Sequence, residues 1–269
     1  MTDTHDDARP ALEQALDRAA AAETLLVALD FDGTLAPFTA DPGDSRALPE
    51  AQTALEQLLG LDRTYVAVIS GRPMHFLRAV VDPDGRMLLS GSHGAELHLD
   101  ALGGAAADSE LRLSPAQQDL LGRATELVEA QVARYPGSRL ELKPTGAAFH
   151  TRTMTDQASS ARAEQEMIDA FEQLDGLKVT PGQHVVESSV HSATKGEGIT
   201  AFMQATGAEV TLFAGDDVTD ENAMRELGPD DLGIKVGNGE SAAAHRVASP
   251  AELAGVLARL AELRRTALS

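Results

Sequence analysis

An α/β fold of the doubly wound kind, a parallel sheet with a second α+β region inserted into it, is what the sequence predicts. Three observations predict it: short continuously apolar runs, amphipathic helical patterns between them, and a central stretch where that alternation gives way to helix, strand pair, helix, strand pair. The apolar runs lie at 25–29, 65–69, 87–89, 210–213 and 232–236, as expected where both faces of a parallel strand are covered. Helical patterns fall at 49–59, 73–80, 196–206 and 220–227. The second opens on proline, whose missing N–H costs little in a first turn. A further helix at about 7–22 carries no functional reading.

In the middle, a helix is expected at 115–134, strands at 139–142 and 147–151, a helix at 156–174 and strands at 177–180 and 184–187, with proline and glycine turns between them. The expected layout is therefore a core of residues 1–98 and 191–269 interrupted by an inserted domain, 99–190.

Composition narrows the function. A net charge of −20 opposes a nucleic-acid surface, because phosphate backbones are held by clustered Lys and Arg. Cysteine is absent, which removes disulfides, thiolate zinc sites and cysteine nucleophiles. The acidic start of the chain lacks the long apolar run of a secretory signal, and no stretch is apolar enough to span a bilayer, so a soluble, cytoplasmic protein is expected. With no Trp and only Tyr65 and Tyr135 among tyrosines, a ligand would be held mainly by hydrogen bonds.

The first strand runs into Asp30-Phe31-Asp32-Gly33-Thr34. Alternation turns Asp30 and Asp32 to one side at the end of a parallel strand, where open α/β sheets collect ligands. Two carboxylates there repel each other, and a divalent cation is the natural remedy. Hard oxygen donors with few histidines nearby favour Mg²⁺ over zinc. Taken alone, an Asp-x-Asp is equally a turn, a solvated loop or the metal–nucleotide motif of a glycosyltransferase. Thr34 can offer its hydroxyl to a bound anion, and Gly33 permits a sharp turn.

Three further segments follow in order. Ser70-Gly71-Arg72-Pro73 ends a strand and opens a helix, so Ser70 and the adjacent N–H groups suit an anion, although a serine N-cap explains Ser70 nearly as well. Thr194-Lys195-Gly196 heads a helix, where lysine opposes the dipole and either points to solvent or serves a negative group. Gly215-Asp216-Asp217-Val218-Thr219-Asp220-Glu221 places four acids in six residues behind a buried strand. Helix capping accounts for some of them, but the repulsion of adjacent carboxylates points to a metal ligand at Asp216, with Asp220 in support.

As a set, Asp30-Phe31-Asp32-Gly33-Thr34, Ser70, Lys195 and Gly215-Asp216-Asp217 resemble the four motifs of the haloacid-dehalogenase superfamily of phosphatases. Ser70-Gly71-Arg72-Pro73, Gly91-Ser92-His93-Gly94-Ala95-Glu96 and the Asp-Asp-Val-Thr-Asp-Glu run at 216–221 are similar to the trehalose-6-phosphate phosphatase branch. The resemblance implies a haloacid-dehalogenase-like core with an inserted α+β cap and hydrolysis of trehalose 6-phosphate to trehalose and phosphate. Alternatives are another sugar phosphate, such as a sucrose or glycosyl-glycerate phosphate, and a non-catalytic sugar-phosphate sensor.

By the same resemblance, Asp30 is the nucleophile, forming an aspartyl-phosphate, and Asp32 the general acid and base. Ser70 and Lys195 hold the phosphate, and Mg²⁺ is bound by Asp30, the Asp32 carbonyl and Asp216, with Asp220 nearby. Arg72, His93, Glu141, Lys143 and Glu187 are assigned to substrate, the last three resembling residues that hold the distal glucose; the competing readings are a structural histidine for His93 and a surface ion pair for Lys143. That division of labour requires Asp30 ionised and Asp32 protonated near neutral pH. Thr151 departs from the branch, which commonly has tyrosine there. The expected partner is a small sugar phosphate, with no nucleic acid or membrane, and the expected state is a monomer.

Overall fold

The computed structural model describes residues 8–39, 41–103, 113–190 and 194–269. Two compact units divide the chain: Met1–Glu110 with Ala193–Ser269, and Leu111–Ser192. The expected return to the core at residue 191 falls on 191–193, outside the described residues, as does Asp7, the expected start of the first helix.

The first unit is a seven-stranded sheet, β11-β10-β9-β1-β2-β3-β4, parallel except for β4. Its strands are β1 (Leu25–Leu29), β2 (Thr64–Ile69), β3 (Leu88–Gly91), β4 (Glu96–His98), β9 (Val210–Gly215), β10 (Leu232–Val236) and β11 (His245–Val247). All five residues of β1 are buried, because helices cover both faces. Leu25, Val27 and Leu29 join a core with helices α1 (Ala8–Ala21), α2 (Pro49–Leu59) and α8 (Pro250–Ala267). Leu26 and Ala28 face the opposite core, shared with α6 (Lys195–Thr206) and α7 (Asp220–Glu226). The period-two alternation of a strand thus divides one apolar run between two layers.

The second unit is a four-stranded antiparallel sheet, β5-β6-β8-β7: β5 (Arg139–Lys143), β6 (Gly146–His150), β7 (Lys178–Gly182) and β8 (Val185–Ser189). Helices α4 (Pro115–Arg134) and α5 (Gln157–Glu172) pack on one face over Ala147, Phe149 and Val186. Ser114 starts α4 through a capping box with Gln117.

Three features depart from the sequence reading. The helix expected at 73–80 is one short turn, α3 (Met74–Phe76), continuing as a π turn over Leu77–Val81, where the Asp82 N–H donates to the Leu77 carbonyl at 3.0 Å. The final strand of the inserted region begins at Val185, because His184 adopts a left-handed φ of 60°. Strands β4 and β11 and helix α8 were not anticipated, although Ser249-Pro250 is a recognisable helix start and the Ser249 hydroxyl accepts from the Glu252 N–H.

Candidate active site

β1 lies between β2 and β9, parallel to both, so the turns that leave the three strands emerge at one edge of the sheet. That places Asp30 after β1, Ser70 after β2 and Asp216 after β9 side by side, although they are far apart in sequence. Lys195 is the first residue of α6, begun by a Thr194–Glu197 capping box. Its ammonium donates to Asp30 Oδ1 and Asp220 Oδ1, each at 2.6 Å, and all three side chains are buried. The lysine serves a negative group, as one of its two sequence readings has it.

Burial pushes the Asp30 carboxyl up to about 8, against the pull of Lys195, and the Asp220 charge adds to the rise. Burial opposes the charge on Lys195, but Asp30 and Asp220 outweigh it and raise the ammonium above its ordinary value. Asp216 is raised by burial and then by the Asp220 charge. Asp30, Asp216 and Asp220 each offer an oxygen within 4.8 Å of the others. Carboxylates crowded in this way, with burial raising Asp30 and Asp216, are the oxygen donors a hard divalent cation suits.

The backbone is shaped to allow this crowding. A Cβ on Gly33, whose φ is +83°, would lie 2.2 Å from Asp216 Oδ2, and one on Gly215 would lie 2.3 Å from the Asp220 carboxyl carbon. The Thr34 hydroxyl donates to Asp216 Oδ1 at 3.3 Å, so in this arrangement it braces an acid. Asp220 Oδ2 accepts from the Asp217 N–H at 2.8 Å while Oδ1 accepts from Lys195, so both oxygens are engaged. A cavity of about 350 Å³ opens beside Gly33 and Asp216, with the exposed Phe38 on its wall.

Asp32 corrects one expectation. The sequence reading has it protonated near neutral pH. Instead Arg72 donates to both its oxygens at 2.7 Å and the Ser45 hydroxyl donates at 2.9 Å. Burial would raise the Asp32 carboxyl, but the hydrogen bonds from Arg72 and Ser45 outweigh it and hold it below the usual carboxylate range. The two acids are driven apart in the opposite sense to the one expected. Arg72 also stacks over Phe76, 4.6 Å from the ring centroid.

Ser70 is buried, and its hydroxyl accepts from the Arg72 N–H at 3.2 Å within the turn; it is not the expected N-cap, since α3 begins at Met74 with Pro73 before it and no side-chain cap. The neighbouring loop carries consecutive left-handed residues, Ser92 at φ 50° and His93 at φ 59°. The His93 N–H donates to the Ser70 carbonyl at 3.0 Å, and its ring lies against Gly71, where a Cβ would meet Cε1 at 2.5 Å. His93 is thus seated on the Ser70–Arg72 turn.

The remaining expected residues belong to the second unit. Glu141, Ala148 and Glu187 are cross-strand neighbours in one row of the sheet, and Lys143 lies two residues along from Glu141 on the same face. Lys143 donates to Glu187, and Glu141 Oε2 meets His150 Nε2 at 2.6 Å. Thr151 is buried and donates to Glu164, which accounts for the residue at that position.

Lys235 and Ser45 were missed in the sequence. Lys235 sits in a strand whose five residues are all buried, and its ammonium donates to the Asp216 carbonyl at 2.7 Å. The signal was a lone lysine within an apolar run. For Ser45 there was none.

Comparison with known proteins agrees with this architecture. A trehalose-phosphatase family profile matches residues 28–255. The trehalose-phosphate phosphatase of Mycobacterium marinum (strain ATCC BAA-535 / M) is 32% identical over 247 residues, covering 87% of this chain and 61% of its own length. The chain therefore spans about three fifths of that relative. An Aspergillus fumigatus trehalose-6-phosphate phosphatase structure superposes with a TM-score of 0.70 at 23% identity, over 93% of this chain and 97% of the other. A haloacid-dehalogenase subclass IIB sugar phosphatase superposes at 0.58 and 14% identity, over 87% and 96%. The two structures establish a haloacid-dehalogenase fold, and with the profile match over most of its length the chain belongs to the trehalose-phosphatase family.

Proposed function

We propose that the protein is a Mg²⁺-dependent phosphatase that hydrolyses trehalose 6-phosphate to trehalose and inorganic phosphate. The observation that carries this reading is the buried Asp30–Lys195–Asp220 network with Asp216 beside it, assembled from three separated segments. Asp30, the Asp32 carbonyl and Asp216 would hold Mg²⁺, which supplies charge neutralisation for the phosphate oxygens. Asp220 is occupied with Lys195 and the Asp217 N–H, so its part is to hold both in place.

A carboxylate oxygen of Asp30 attacks phosphorus and the bond to the sugar oxygen breaks, giving an aspartyl-phosphate and the free sugar. Asp32 delivers the proton that the leaving oxygen needs. In the second half, water attacks phosphorus, Asp32 takes its proton, and the bond to Asp30 breaks to release phosphate. Asp32 can do this only when freed from its two bonds to Arg72. On this reading Arg72 exchanges Asp32 for an anionic group of the substrate, which lets Asp32 take up its proton. Lys195 and the Ser70 turn hold the phosphoryl oxygens. Phosphate-monoester hydrolysis can demand acceleration approaching ~10²¹-fold, whereas one oxyanion donor supplies roughly 3–4 kcal/mol. All of these groups are needed together.

The unit Leu111–Ser192 is assigned the choice of sugar, through Glu141, Lys143 and Glu187, whose paired acid and ammonium groups suit vicinal hydroxyls. The test measures inorganic phosphate released with Mg²⁺ from a panel of sugar phosphates. Strong preference for trehalose 6-phosphate is expected, together with loss of release in Asp30→Asn while circular dichroism stays unchanged. Preference for a sucrose or glycosyl-glycerate phosphate would move the reading to a sister enzyme, and binding without release to a sensor.

A further inference from the structure

We infer that Lys235 is a positioning residue that builds the Mg²⁺ site from behind, by fixing the backbone of the Asp216–Asp217 turn. The inference rests on the reading of Asp216 as a metal ligand. Lys235 is 4% exposed, on a strand hydrogen-bonded on both sides, and in register opposite Gly215, the residue before Asp216. A buried ammonium is costly unless paired and hydrogen-bonded. This one has three partners, two in the acidic turn and one in the helix it opens: the Asp216 carbonyl at 2.7 Å, the Asp217 carbonyl at 3.5 Å and Glu221 Oε1 at 3.5 Å. Glu221 in turn accepts from the Ala242 N–H at 2.8 Å through Oε2, tying the turn to the segment beyond β10.

The consequence for Asp216 is geometric. Its side chain is limited in front by Gly33, against whose Cα it packs, and by the Thr34 hydroxyl. Lys235 holds the peptide group behind it. With both ends fixed, the carboxylate is held toward Asp30 in the cluster. Lys195 neutralises Asp30 and Asp220 through their side chains, whereas Lys235 reaches Asp216 through its main-chain carbonyl and takes neither oxygen of its carboxylate. Groups that orient a metal ligand typically change metal affinity about 10- to 100-fold when removed.

The test titrates Mg²⁺ calorimetrically, without substrate, into the whole wild-type chain, Asp216→Ala, Lys235→Met and Lys235→Arg. The expected result is a dissociation constant about 10- to 100-fold weaker in Lys235→Met, with partial recovery in Lys235→Arg. A Lys235→Met protein that is less stable but binds Mg²⁺ as the wild type does overturns the inference and leaves Lys235 a structural residue. Should Lys235→Met fail to fold, Glu221→Gln/Lys235→Met removes the buried charges as a pair and carries the same expectation and the same refutation. If the wild type binds no Mg²⁺, or Asp216→Ala binds it unchanged, the metal-ligand reading itself fails. Binding that needs Asp216 but not Lys235 refutes this inference alone.

Discussion

Gly33 shows how closely single atoms determine this site. Its position is denied to any side chain twice over, by a φ of +83° and by the Asp216 carboxylate 2.2 Å from where a Cβ would stand. Gly33→Ala is expected to push Asp216 off the cluster and lower phosphate release about 10²-fold, the scale of a 1 Å misplacement, with the urea midpoint moving much less. Arg264 is a residue of the opposite kind, remote from the acids and wholly structural. It is 1% exposed and donates to the carbonyls of Ala20, Ala22, Glu23, Asp62 and Arg63 and to the Thr64 hydroxyl. Arg264→Ala takes its donor from the buried Ala20 and Ala22 carbonyls, at about 1–3 kcal/mol each, and empties the space the side chain fills. A loss of at least about 3 kcal/mol is expected in urea denaturation, and a smaller loss would mean that water replaces the guanidinium.

At the scale of elements, β11 carries a pH response. Burial, and then the Arg18 charge from the last turn of α1, lower the pKa of His245. The unfolded chain therefore binds that proton more readily than the folded one. The contribution is complete above the ordinary histidine pKa of about 6.5 and is lost as pH falls from there through the folded value. Stability should decline between neutral pH and about pH 5, and His245→Gln should flatten that part of the curve; equal slopes in both proteins would exclude His245 as the source. The elements themselves were largely readable from sequence, because β1, β10, α2 and α4 have apolar periods that match the surfaces they bury. The π turn was not, since 73–80 reads as an ordinary helix and the widened turn shows only in backbone bonds such as that from Asp82 to Leu77. The acids of the site stood out because like charges crowd behind strands. Ser45 did not, because a hydroxyl that reaches Asp32 from a loop leaves no period or spacing. The protonation of Asp32 was misjudged for a related reason: Arg72 was visible, but its forked contact was not.

Considered as a whole molecule, the protein forms two compact units with separate cores, to which the proposed function assigns the phosphate and the sugar. On that reading, chemistry on the phosphate and choice of sugar are separable by mutation. Glu187→Ala is expected to reduce hydrolysis of trehalose 6-phosphate at least about tenfold more than that of a small aryl phosphate, and equal losses would remove Glu187 from sugar recognition. The same division governs how the chain is made. Helix α8 supplies Leu253, Leu257 and Leu260 to the core over β1, and its Arg264 gathers carbonyls from around the starts of β1 and β2. It is also translated after every other described element. A polypeptide still on the ribosome and stalled before residue 250 would present that apolar sheet face covered only in part, by α1 and α2, so chaperones would meet the first unit unfinished after the whole inserted unit had been made.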